Sequence, residues 1–199
     1  MIIIPIGVDC GNALLFKENN LRQFSLPFDW SVTYNGVSKI IKNDFSDYIP
    51  RDNSSLNIID DVSFVHSEFP KDNEKMLRRI NRLKSILETS NEQVVFIRKG
   101  HACHHHNEHN GRYNIIKSDL QDAEELDIFL QERYPNLNYE IIVFLICGKC
   151  FIPPKNSSSD LPSEVYSSLS KNIKIYNISC IGLNDIMFNN ICLEYLSKK

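Results

Sequence analysis

Apolar and polar positions alternate along the chain in blocks that mark out its elements. Ile2, Ile3, Ile4 and Ile6 form a short β-branched run, the pattern of a buried strand, and Gly7 permits a sharp turn after it. Asn12, Ala13, Leu14, Leu15 and Phe16 then read as a helix with an apolar side. Val37, Ile40 and Ile41 have helical spacing, with Asn35 or Ser38 placed to begin that helix. Pro50 and Asn53-Ser54-Ser55 break up the stretch 45–57, and 58–69 reads as extended, with His66 near its end. Met76, Leu77, Ile80, Leu83, Ile86 and Leu87 fall at three- and four-residue steps, which predicts a helix over 74–88 capped by Asp72 or Asn73. Val94 to Ile97 is a second buried-strand run, ending at Arg98.

Ser118 followed by Gln121 is a capping-box start, and Leu120, Ala123, Leu126, Phe129 and Leu130 give that helix its apolar face up to Pro135-Asn136. Residues 139–147 are apolar enough for a strand covered on both faces. A Pro/Ser-rich loop (150–160), a short helical piece (165–169), a strand (173–178) and a helix (186–196, capped by Asn184 or Asp185) complete the chain. Strands alternating with helices predict an α/β fold: a three-layer sandwich with a mostly parallel sheet of about five strands, in one domain spanning 1–199.

Composition narrows the function classes. Of the 199 residues, 42% are apolar, enough for a substantial core. The net charge of -3 offers no basic stripe for phosphates, so nucleic acid is not an expected partner. No apolar stretch reaches the ~20 residues that span a bilayer, and the N-terminal apolar run has no basic leader, so the expectation is a cytoplasmic protein with no membrane partner. The six cysteines are irregularly spaced, which favours reduced thiols over disulfides. Gly-rich phosphate loops and Gly-x-Ser-x-Gly are absent, and no cofactor is implied.

The chemistry converges on the strand ends, where ligands bind in open α/β sheets. Cys10 stands where the first strand hands over to a helix. The unpaired N–H groups and positive dipole end there favour a thiolate and can hold an oxyanion. Against this, a cysteine beside a buried strand is often only a small hydrophobe, and Asp9 disfavours its ionisation. His66 is the candidate base. Asp29, between the rings of Phe28 and Trp30, is the candidate orienting carboxylate, with Asp185 second. Asn12 or a backbone N–H is placed to serve the oxyanion. Arg98, backed by Arg79, is a candidate clamp for a substrate carboxylate or phosphate, and Trp30 a substrate contact.

Two further clusters carry blander readings. Five of the six histidines fall in His101 to His109, read as a surface loop with opportunistic metal affinity, so no metal site is assigned. Cys147-Gly148-Lys149-Cys150 is a C-x-x-C followed by Pro153-Pro154 instead of a helix, which points to chance pairing.

Three blocks together, Gly7-Val8-Asp9-Cys10, Ser25-Leu26-Pro27-Phe28-Asp29-Trp30 and Phe64-Val65-His66-Ser67-Glu68-Phe69, resemble a bacterial and viral family described as papain-like cysteine peptidases. An arginine-bearing helix and an apolar strand ending in Arg98 extend the likeness more weakly. The resemblance implies Cys10 as nucleophile and His66 as its base. The chain departs at Ser67, where Asp or His is expected, which leaves the orienting residue open. A papain core begins with its cysteine helix and adds a mostly antiparallel sheet, whereas this chain begins with a strand. The papain-like α+β fold is therefore the alternative to the parallel sandwich. The functional expectation is a cysteine-dependent acyl-transfer hydrolase acting on a small-molecule or peptide substrate, of unstated oligomeric state. The rival reading is a non-catalytic α/β ligand-binding or accessory module, carbohydrate-related, with Cys10 merely buried; metal binding through the histidine loop is a third.

Overall fold

The computed structural model describes residues 1–7, 10–52, 58–59, 62–64, 66–100, 118–145, 170–177 and 185–198. The histidine loop and the C-x-x-C lie outside the described residues, as do Asp9 and Asn184. In chain order the elements are β1 (Ile2–Pro5), α1 (Gly11–Glu18), β2 (Val32–Thr33), α2 (Ser38–Lys42), β3 (Ile58–Ile59), β4 (Val62–Ser63), α3 (Asn73–Thr89), β5 (Val94–Gly100), α4 (Asp119–Arg133), β6 (Tyr139–Leu145), β7 (Ile173–Asn177) and α5 (Asp185–Ser197).

The main sheet is wholly parallel, in the order β1-β5-β6-β7. Alternate side chains of its strands feed two cores. Ile2, Ile4, Val94, Phe96, Ile141 and Val143 pack under α2, α3 and α4. Ile3, Val95, Ile97, Ile142 and Phe144 pack under α1 and α5 with Phe16, Phe188 and Cys192. Helices on both faces make a three-layer α/β sandwich and leave β5 buried along its whole length.

Among the described residues the sheet has four strands, and the segment expected to supply a fifth pairs elsewhere. β3 pairs antiparallel with β4, Ile58 opposite Ser63 and Ile59 opposite Val62, and β4 pairs antiparallel with β2 in a separate small sheet, Val32 opposite Ser63 and Thr33 opposite Val62. That small sheet carries His66, which sits in the turn after β4.

Local chemistry explains where the other elements start. The capping box forms as the spacing predicts: Gln121 N–H donates to Ser118 Oγ at 3.2 Å and Ser118 N–H to Gln121 Oε1 at 3.0 Å. Asp72 occupies the N-cap of α3 but makes no capping bond, because its carboxylate accepts instead from Lys75 Nζ and Glu68 N–H. The buried stripe of α3 runs through Met76, Arg79, Ile80, Leu83, Ile86 and Leu87. Leu77 falls on the outer flank with Lys84 and is exposed, so the expected apolar face is one residue narrower and includes an arginine. α2 is not capped by Asn35 or Ser38; the Asp122 carboxylate reaches over from α4 and accepts from Val37 N–H at 2.9 Å and Ser38 N–H at 3.0 Å.

Candidate active site

Cys10 is the N-cap residue of α1, and its carbonyl accepts the first helical hydrogen bond, from Leu14 N–H at 3.1 Å. Its thiol is free and half-buried. His66, exposed, places Nε2 at 3.6 Å from Cys10 Sγ, within hydrogen-bond reach of sulfur. A thiol at the positive end of a helix, beside an imidazole, is an arrangement suited to nucleophilic attack.

Arg98 fastens the two halves of this pair. Its Nη1 donates to Ile6 O and to Thr33 Oγ1, both at 2.6 Å, and Nη2 donates to Thr33 O at 2.7 Å. Nε donates to Asp119 Oδ1 at 2.6 Å, and Nη2 also pairs with Asp119. Thr33 Oγ1 in turn donates to Gly7 O at 3.0 Å. The strand leading to Cys10 and the small sheet leading to His66 are thus held on one guanidinium. With all five N–H groups taken by protein and only 2% exposure, Arg98 has none to offer a substrate. Arg79 does not back it. Burial pulls the Arg79 guanidinium below the usual arginine range, and the groups acting on it are Asp29, Arg22, Asp72 and Tyr48.

Asn12 is fully buried; its Nδ2 donates to Ile97 O at 3.3 Å, tying α1 to β5, so the side chain is not presented to an oxyanion. Trp30, half-buried, meets the His66 ring edge-to-face with centroids 5.7 Å apart, and the Arg22 guanidinium lies 5.8 Å from its ring centre. Asp29 is 0% exposed and ion-paired to Arg22, and accepts from Leu26 N–H at 2.9 Å. Among the described residues no hydrogen bond joins Asp29 to His66. Among the described residues, buried Asp29 Oδ1 and Arg79 Nε and Nη1 have no hydrogen-bond partner. The side chain of Asp185, the second candidate, lies outside the described residues. Arg22, Thr33 and Asp119 carry no spacing signal that would have singled them out from sequence.

Burial raises the Asp29 carboxyl above the ordinary aspartate value of 3.8, outweighing Leu26 N–H, Arg22 and Arg79, which lower it. A folded-state value above the unfolded one stabilises the fold fully below about pH 3.8, and that contribution is lost as pH rises through the folded value. Denaturant melts between acid and neutral pH should therefore show the stability difference between Asp29→Asn and the native chain moving in the asparagine variant's favour as pH rises. A difference that stays flat with pH would contradict this.

A cavity of about 390 Å³ lined by Leu87, Ser90, Arg133, Tyr134 and Leu137 opens at the other end of the sheet, where β5 and β6 begin, and has no part in the Cys10–His66 pair. Among the described residues no group of three or more His, Cys, Asp or Glu side chains gathers as a metal site would require, and no helix is long and apolar enough to cross a membrane.

Residues 1–68 match the model of a family described as "Putative papain-like cysteine peptidase (DUF1796)". The matched segment includes Cys10, Arg22, Asp29, Trp30 and His66. No curated protein and no solved structure matches the chain.

Proposed function

We propose that the protein is a cysteine-dependent acyl-transfer hydrolase, with Cys10 as nucleophile and His66 as its acid–base partner. The reading starts from the family match over residues 1–68 and rests on one observation, the 3.6 Å approach of Cys10 Sγ to His66 Nε2. His66 takes the thiol proton as sulfur attacks the carbonyl carbon of an ester, thioester or peptide. The tetrahedral oxyanion forms beside the positive end of α1. Collapse breaks the bond to the leaving group, which carries away the proton held on His66 and leaves a thioester on Cys10. Water then attacks with His66 accepting its proton, the acid product departs, and the thiol is restored. Trp30 borders this position and is a candidate substrate contact. A reducing compartment such as the cytoplasm keeps Cys10 as the free thiol the mechanism needs.

Iodoacetamide labelling read peptide by peptide tests the pair. Cys10 should be alkylated in the native protein, and His66→Ala should slow that by about 10²-fold at pH 6.5, the low end of what a positioned acid–base group contributes. Buried Cys192, whose thiol is pushed up to about 12 by burial, should label only after unfolding and so marks the folded state. Unchanged Cys10 kinetics in His66→Ala would remove the proposal. Turnover of activated thioesters should vanish in Cys10→Ala.

A further inference from the structure

We infer that Arg22 is a positioning residue that holds His66 toward Cys10 through the ring of Trp30, and that Asp29 serves the imidazole only by fixing Arg22. The inference rests on the Cys10–His66 reading above and names the part of that site which the carboxylate-to-histidine pattern leaves open.

An exposed imidazole needs something to stop it rotating away from the sulfur. In cysteine hydrolases of the triad type that is a side chain hydrogen-bonded to the other ring nitrogen. Here the hydrogen-bond and ring contacts of His66 among the described residues are the thiol and the ring of Trp30, at an interplanar angle of 83°. Trp30 is itself only half-buried and needs a backing. The Arg22 guanidinium supplies it over the ring as a cation–π contact.

Arg22 is the most heavily anchored member of the series. Its Nε donates to Phe24 O at 3.1 Å and its Nη2 to Ser25 Oγ at 2.8 Å, and it is ion-paired to Asp29. Asp29 cannot swing out, because Leu26 N–H binds it and its neighbour Phe28 is locked in the core against Phe45 and Tyr48 at 5.7 Å each. Tyr48 also donates to Pro27 O at 3.2 Å. The Pro27-Phe28-Asp29-Trp30 block thus sends one ring inward as an anchor and one outward as a rest for the histidine, with the Asp29–Arg22 pair bracing the outward ring.

The test uses Arg22→Lys, which keeps the charge beside Asp29 but not the guanidinium that spans Asp29, Ser25 and the Trp30 ring, and Arg22→Gln combined with Asp29→Asn, which avoids an unpaired buried carboxylate. The probe is iodoacetamide at Cys10 across pH, with side-chain NMR relaxation of the His66 ring as second readout and Cys192 protection as the check on folding. Both variants should slow Cys10 alkylation between about tenfold and about 100-fold, as loss of near-attack geometry does, and should increase His66 ring mobility. In a His66→Ala background the same changes should alter alkylation by less than about twofold, because no imidazole is left to position. An equal slowing in that background, or an unaltered His66 ring signal in Arg22→Lys, overturns the inference. If His66→Ala alone leaves Cys10 kinetics untouched, the catalytic pairing fails, and the ring-mobility measurement still decides whether Arg22 holds the histidine.

Discussion

Replacing Arg98 with methionine lowers the unfolding free energy by about 3–5 kcal/mol, the usual cost of removing one member of a buried ion pair. The value is large because the loss is not confined to one contact. Asp119 is left with 6% exposure and no guanidinium, and the carbonyls of Ile6 and Thr33 lose their donors in the interior. Lysine does not substitute, since a single ammonium cannot serve Ile6, Thr33 and Asp119 from one plane. Urea melts of Arg98→Met and Arg98→Lys check this, and a loss below about 1 kcal/mol would mean that water replaces the guanidinium. Because the same group ties the Cys10 strand to the small sheet bearing His66, Cys10 alkylation should slow in Arg98→Lys even at temperatures where Cys192 remains protected.

That double attachment shows why the site was only partly legible in the sequence. The strand-end position of Arg98 was readable from the apolar run before it, and a charge at a strand end invites a ligand-binding role. What decides its actual use is Asp119, which sits 21 residues away in the first turn of α4. In sequence Asp119 reads as an ordinary acidic residue at a helix start, favoured by the dipole. β5 runs three residues past Ile97, to Gly100, and carries Arg98, paired with Asp119, inside it.

His66 shows the same division. Its meeting with Cys10 followed from placing strand ends on one rim, yet it reaches that rim from a two-residue strand of an antiparallel sheet and not from the parallel one. Residues 58–69 are extended in pattern, and pattern alone does not say which sheet an extended segment joins. The helices were more legible. The stripe of α3 and the capping box of α4 are local codes, whereas α2 takes its cap from a carboxylate 85 positions distant from Val37. The Arg22 contacts with Asp29 and Trp30, only seven and eight residues on, carry no periodic or capping signal that marks them in the sequence.

The long-range cap on α2 yields the second large effect. Gly36→Ala should cost about 2–5 kcal/mol, combining the penalty of a left-handed backbone for an L-residue with that of overpacking. Gly36 has φ +79, and a Cβ there would overlap the Asp122 carboxylate. That carboxylate cannot retreat without giving up its bonds from Val37 N–H and Ser38 N–H, which cap α2 where its own N-cap residue supplies no side-chain bond. Backbone strain and steric overlap are separable by a double-mutant cycle with Asp122→Ala. Asp122→Ala alone should destabilise by about 1.5–3 kcal/mol through the lost charged hydrogen bonds. In its background Gly36→Ala should cost only the conformational part, about 1–2 kcal/mol. Strict additivity in denaturant melts would show that the alanine methyl never meets the carboxylate, and would place the whole effect in the backbone.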